Sequence, residues 1–157
     1  MNAPDQPRTR HADAILGVAA SSILLAMMLL TVVDVVGRYM LRRPVPGAFE
    51  VTELMLLVLI FAGLPLVSLA EEHAVMDFVD RVVGPGALRA LQRAVHAACA
   101  AFLGLLAWLV WLKADRIRGK GDYTDVLHIV YGPFVYFMAI TLALAGLIHL
   151  YKAGARR

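Results

Sequence analysis

The sequence AILGVAASSILLAMMLLTVV at residues 14–33 contains no charged side chain. A helix of about 20 apolar residues is long enough to cross the roughly 30 Å hydrocarbon core of a bilayer. The stretch is longer than the apolar part of a secretory signal peptide, and its end at Thr31-Val-Val-Asp34 lacks the small residues of a cleavage site. We therefore expect it to be a retained first transmembrane helix.

Three further apolar segments follow the first one. We predict an all-α fold, a single four-span membrane domain of residues 1–157, with spans at approximately 14–41, 49–70, 90–113 and 126–151. Prolines punctuate this pattern: Pro44 and Pro46 end the first helix, and Pro65 is expected to kink the second. The pair Gly132-Pro133 marks either a kink in the fourth span or a late start of its helix.

Composition supports a membrane protein. The hydrophobic fraction is 61%, whereas about 45–50% is usual for a soluble domain, and the charged residues collect in short clusters between the apolar stretches. The net charge of +3 is ordinary for the flanks of membrane helices, and we do not expect nucleic-acid binding. Cys99 is the single cysteine, which excludes an intrachain disulfide and a cysteine-cluster metal site.

The connector between the second and third spans has a helical pattern of its own. Residues 71–83 place apolar side chains on one side of a helix and polar side chains, including His73 and Asp77, on the other. We predict a short amphipathic helix in the membrane interface, with a solvated loop as the alternative.

Charged, aromatic and small residues bear on the orientation and packing of the spans. Lys and Arg are divided almost equally between the two sides, so charge leaves the topology open. The interfacial aromatics favour one shared membrane level for Tyr39, Phe49, Trp108, Trp111 and Tyr131. Small residues four apart can allow close helix packing at Ala97 with Ala101, Ala100 with Gly104, and Ala139 with Ala143.

Charged side chains near one interface are the candidates for specific contacts. Asp34 and Arg38 are four residues apart in the orientation that favours a helical pair. Our hypothesis is that Arg38 also pairs with Glu50 or Glu53 and clamps the first two spans together. The alternative is that each side chain reaches independently to water.

Two histidines raise the question of a cofactor. His96 and His149 could share a membrane face, as a bis-histidine haem requires, although packing roles explain them more simply. The sequence contains no nucleotide-binding loop, metalloprotease motif or serine-hydrolase motif. We therefore expect no catalytic, cofactor-binding or metal-binding residues, no cofactor and no enzymatic activity.

Four motifs in the first half carry a resemblance. In order, the motifs are Val35-Val-Gly-Arg-Tyr39, Arg43-Pro-Val-Pro-Gly-Ala-Phe-Glu-Val-Thr-Glu53, Phe61-Ala-Gly-Leu-Pro65 and His73-Ala-Val-Met-Asp77. Together they resemble the small permease (DctQ-type) subunit of the tripartite ATP-independent periplasmic (TRAP) transporters. The second half is similar only in its hydropathy.

The resemblance implies a supporting role. Such a subunit would scaffold a large permease in the bacterial inner membrane, with both termini cytoplasmic and membrane lipid around it. The permease would take up an organic acid with sodium, after delivery by a periplasmic binding protein. The candidate structural or partner-contact residues are Arg38, Tyr39, Pro46, Glu50, Glu53, His73 and Asp77.

Two other functions stay open from the sequence. A self-contained small transporter or channel working as a homo-oligomer would transport solute without companions. A membrane-anchoring electron-transfer subunit would bind haem.

Overall fold

Four long helices make up the part of the chain that the structure describes. The computed structural model describes residues 7–70 and 85–154. Its helices are α1 (Pro7–Met40), α2 (Ala48–Ala70), α3 (Pro85–Lys120) and α4 (Gly132–Gly154). Within those ranges there is no strand, and a single antiparallel bridge joins Tyr123 to Val130. The prediction of an all-α protein is confirmed.

Each helix contains a segment that is long and apolar enough to cross a membrane. These segments are Gly17–Met40, Ala48–Leu69, Ala90–Lys120 and Gly132–Gly154. The shorter helices, α2 and α4, have 23 residues and therefore span about 35 Å, more than the hydrocarbon core. Within the described residues, the four predicted spans thus correspond to four helices that are long and apolar enough to cross a membrane. The predicted interfacial helix at 71–83, with His73 and Asp77, lies outside the described residues.

The ends of α3 and α4 differ from the predicted span limits. Helix α3 continues seven residues beyond the predicted limit at 113, to Lys120. The next residue, Gly121, has a left-handed φ of 68° and donates its N–H to the carbonyl of Ile117 at 2.9 Å. A glycine in this conformation is a common helix terminator. Helix α4 begins at Gly132, six residues after the predicted start, with Pro133 in its first turn, where the missing N–H is tolerated. The Gly132-Pro133 pair is therefore a late helix start.

The chain divides into two compact units, and the boundary falls within α2. Of the described residues, the first unit contains 7–59 and 124–128. The second contains 60–70, 85–123 and 129–154.

In the second unit, α3 packs against α4 through small residues. Six of the eight buried positions of α4 recur at the spacing of one packed face, at Val135, Ala139, Leu142, Ala145, Gly146 and His149. A Cβ on Gly146 would lie 3.5 Å from the backbone nitrogen of Gly104 and 3.6 Å from the carbonyl oxygen of Ala100. The small pair Ala100 and Gly104 therefore lies where α4 closely approaches the backbone of α3. Ala97, Ala101 and Ala143 are exposed and take no part.

Helix α1 in the first unit is apolar and open to its surroundings. Among residues 17–40, whose side chains the structure describes, only Gly37 is buried. Val18, Leu25, Met28 and Val33 are each more than half exposed. Such a helix needs hydrocarbon or another protein around it, because a water-exposed apolar surface of this length is unfavourable.

Candidate functional site

In the first unit, backbone and side-chain hydrogen bonds fix the turn that joins α1 to α2. We call it the junction and define it as Asp34, Gly37, residues 41–50 and the segment 124–128. The carbonyl of Gly37 accepts the backbone N–H of Leu41 at 3.2 Å and that of Arg43 at 2.9 Å. Arg42 takes a left-handed φ of 52°, which reverses the chain. A Cβ on Gly37 would lie 2.7 Å from the carbonyl oxygen of Arg43, so only glycine fits this position without a shift of the backbone.

Asp34 fastens the turn to the last part of α1. Its Oδ1 accepts the backbone N–H of Val45 at 2.9 Å, and its Oδ2 accepts an N–H from Arg38 at 2.8 Å. The Asp34 side chain is 15% exposed, whereas that of Arg38 is 60% exposed. Because the ion pair is open on the arginine side, it contributes little by itself. The bond to Val45 is the one that fixes the turn.

Glu50, in the first turn of α2, binds the segment between α3 and α4. Its Oε1 accepts the N–H of Val126 at 2.7 Å, and its Oε2 accepts the N–H of Leu127 at 2.9 Å. Glu50 is only 8% exposed. Hydrogen bonds to an ionised acceptor are short and strong, and a negative charge near a helix N-terminus is favourable. One side chain thus holds a segment 76 residues away in the sequence.

Gly47 allows that segment to approach. Its φ is 74°, and a Cβ at this position would overlap Cγ of Leu127. The carbonyl of Gly47 accepts the first helical N–H of α2, from Val51, at 3.0 Å. Any other residue at position 47 is therefore disfavoured twice, by the left-handed backbone and by contact with Leu127.

A family model covers the whole junction. The model of the family described as "Tripartite ATP-independent periplasmic transporters, DctQ component" matches residues 27–156. The chain belongs to the DctQ family. Comparisons with curated proteins and with solved structures gave no match. The suspected resemblance is confirmed, and the match extends through the second half of the chain, where the sequence motifs were silent.

Family membership settles the general class of the protein. DctQ proteins are components of TRAP transporters, and this family of transporter components is not a class of enzymes. Together with the four apolar helices, this makes the chain a multi-pass membrane protein.

The residues that were predicted from the sequence of this DctQ-family chain differ from one another in their surroundings. The expected pair of Asp34 with Arg38 is confirmed. The hypothesis that Arg38 pairs with Glu50 or Glu53 is wrong, because Arg38 binds Asp34, the Glu50 carboxylate is occupied by two backbone N–H groups, and Glu53 is exposed. Tyr39 is 79% exposed and Pro46 is exposed beside Gly47.

Sequence reasoning missed several residues of the junction. It did not identify Gly37 or Gly47 as obligatory, although the run Pro44-Val-Pro-Gly47 is a recognisable turn signal. It also missed Val126 and Leu127 as partners of Glu50. No side-chain signal could have found these two, since every residue except proline carries the backbone N–H that Glu50 uses.

The second unit places the two histidines together. His96 on α3 and His149 on α4 lie with their Nδ1 atoms 3.1 Å apart and their ring centroids 5.4 Å apart. One ring donates and the other accepts, so this bond occupies Nδ1 of both and leaves no space for an iron between these atoms. In residues 7–70 and 85–154 no group of three metal-ligating side chains is arranged to hold a metal ion. The contact between the two rings joins α3 to α4 and gives both histidines a packing role.

Lys152 stabilises the opposite end of α2. Its Nζ donates to the carbonyl of Ser68 at 2.7 Å and to that of Leu69 at 3.1 Å. The last carbonyls of a helix lack partners within the helix, and a cation there also interacts favourably with the helix dipole. This contact links the C-terminal parts of α2 and α4 within the second unit.

Proposed function

We propose that the chain is the small membrane subunit of a TRAP-type secondary transporter. In this proposal it scaffolds a large permease in the bacterial inner membrane, with both termini cytoplasmic. The permease carries out sodium-driven uptake of an organic acid that a periplasmic binding protein delivers. Membership in the DctQ family supports this assignment.

The observation that supports the scaffold role is where the charged side chains lie and what the buried Glu50 binds. Asp, Glu, Lys and Arg are absent from residues 14–33, 54–70, 94–112 and 126–151. Transport pathways through membranes are usually marked by such groups. Glu50, the buried acid of the junction, already has both oxygens bound to the backbone. A carboxylate used in this way holds helices and loops in place and is not available to bind a solute or an ion.

The surface of α1 supports a partner in the membrane. Its exposed apolar side chains surround the helix, whereas most surface helices show a buried face. A single chain therefore leaves this helix to lipid or to a companion helix. The large permease is the companion that we propose.

Uptake in reconstituted vesicles tests the proposal. The chain alone should transport nothing, and the chain with its large permease and binding protein should accumulate an organic acid when a sodium gradient is applied. Flux through the chain alone would establish the self-contained transporter instead. Uptake that is unchanged when the chain is omitted would remove the scaffold role.

A variant of Arg38 distinguishes a role in docking a partner from a role in assembling the complex. We propose that the exposed residues Arg38, Tyr39, Pro46 and Glu53 contact a partner, while Glu50 stabilises the subunit itself. Arg38→Ala should leave the complex intact on co-purification and reduce uptake. Loss of the complex would assign Arg38 to assembly, and unchanged uptake would leave it without a role.

A further inference from the structure

Three basic side chains form one face near the C-terminal end of α3. We call Lys113, Arg116 and Lys120 the basic face. At about 100° per residue, the three positions lie within about 60° of one another around the helix. All three are exposed. None of them has a hydrogen bond or ion pair with another residue in the described part of the chain.

The same side of α3 is apolar before the basic face begins. Leu109 is four residues before Lys113, Leu105 is four before Leu109, and Phe102 is three before Leu105, so these side chains continue one stripe along the helix. Each is more than half exposed. The stripe therefore changes from apolar to cationic along a single line.

The change occurs where the membrane surface is expected. Trp108 and Trp111 are both exposed, and tryptophan prefers the level of the lipid headgroups. The basic face starts two residues later and extends about 10 Å along the axis. The headgroup layer on each side of a bilayer is about 5–8 Å thick. Lys113 and Arg116 fit within this layer, and the long side chain of Lys120 can reach it from just outside.

The acidic residue within this segment is directed elsewhere. Asp115 accepts a hydrogen bond from the hydroxyl of Tyr136 on α4. Tyr136 also packs edge-on against Trp111, with ring centroids 5.1 Å apart. Because Asp115 is on the α4 side, it does not neutralise the basic face.

We propose that this surface of α3 binds an anionic phospholipid. An acyl chain lies along the apolar stripe, and the phosphate and any further headgroup charge accept hydrogen bonds from Lys113 and Arg116. An acidic protein surface is the other class of occupant with complementary charge. The unbroken apolar stripe favours lipid, because a water-soluble partner would not reach residues at the depth of Phe102 and Leu105.

The chain carries its own reporter for this site. Its two tryptophans are Trp108 and Trp111, within two turns of the basic face. The full chain can be reconstituted in vesicles that contain equal mole fractions of a brominated phospholipid, either phosphatidylglycerol or phosphatidylcholine, and quenching of tryptophan fluorescence measured. We expect the brominated anionic lipid to quench more strongly, which gives its relative binding constant at this surface.

Paired variants identify the residues responsible. Lys113→Gln with Arg116→Gln should lower the preference for phosphatidylglycerol by about fivefold for each charge removed. Lys113→Arg with Arg116→Lys keeps both charges and should keep the preference. Arg42→Gln with Arg43→Gln removes the same net charge from exposed side chains of the other unit and should also keep it.

Three results would overturn the proposal. The first is equal quenching by the two lipids in the unaltered chain. The second is a preference that survives the Lys113→Gln and Arg116→Gln changes. The third is a preference that disappears when the chain is co-reconstituted with its large permease or with an added binding protein, which would assign the basic face to a protein partner.

Discussion

Gly47 and Leu127 should be energetically coupled, because the structure places the side chain of one in the space that a Cβ on the other would take. In Gly47→Ala, the left-handed φ of 74° costs about 1–2 kcal/mol for an L-residue. The new Cβ would overlap Cγ of Leu127, and relieving such overpacking costs about 1–3 kcal/mol more. We therefore expect a loss of about 2–5 kcal/mol in the free energy of unfolding.

A second background isolates the steric part. Leu127→Ala removes Cγ, Cδ1 and Cδ2, the atoms nearest to the added Cβ, and Leu127 is partly exposed, so this change alone should cost little. In that background, Gly47→Ala should cost only the backbone term of about 1–2 kcal/mol. The difference between the two backgrounds is the coupling energy.

The measurement is an equilibrium unfolding titration with a denaturing detergent, starting from mild-detergent micelles and followed by tryptophan fluorescence and far-ultraviolet circular dichroism. Equal costs of Gly47→Ala in both backgrounds would refute the contact with Leu127. No cost in either background would refute the left-handed backbone at position 47.

Three further predictions use the same titration. Glu50→Gln replaces one acceptor oxygen with an NH₂ group that faces a backbone N–H, so it should clearly lower the unfolding midpoint. The control is Glu53→Gln, at an exposed position, which should leave the midpoint unchanged. Equal effects of the two changes would count against the role of Glu50. Gly146→Leu should destabilise by about 1–3 kcal/mol because α3 lies within 3.6 Å of the added Cβ, and exposed Ala143→Leu is the control; a neutral Gly146→Leu would contradict the close packing. Lys152→Met should cost about 1 kcal/mol by freeing two carbonyls of α2, and Lys152→Arg should recover part of it; if both variants match the unaltered chain, the cap is not formed.

The spans were predictable because hydropathy is a local property of the sequence. Each apolar stretch had the length that a bilayer requires, whatever it packs against. The helix ends were harder to predict, since a helix continues into water wherever charged residues with good helix propensity follow. Helix α3 does so through Lys113–Lys120, and only Gly121 with its left-handed backbone ends it.

The contacts within the junction were predictable only where they were local. Asp34 and Arg38 are one helical turn apart, and their pairing followed from that spacing. The expected partner of Glu50 was wrong because opposite charges are visible in a sequence and backbone donors are not. The contact of His96 with His149 was predictable from the order of the spans, since the start of the third span and the end of the fourth are expected at the same membrane surface.

The grip of Glu50 on the main chain has a consequence for how the loop before α4 can change. The carboxylate binds backbone N–H groups, which nearly every residue supplies. The side chains of Asp125 and Val126 are exposed, so this contact does not depend on which residues occupy these positions. The loop can therefore diverge in sequence, or accept a fluorescent label at position 125, and stay anchored. Proline at 126 or 127 is the exception, because it would remove the donor itself.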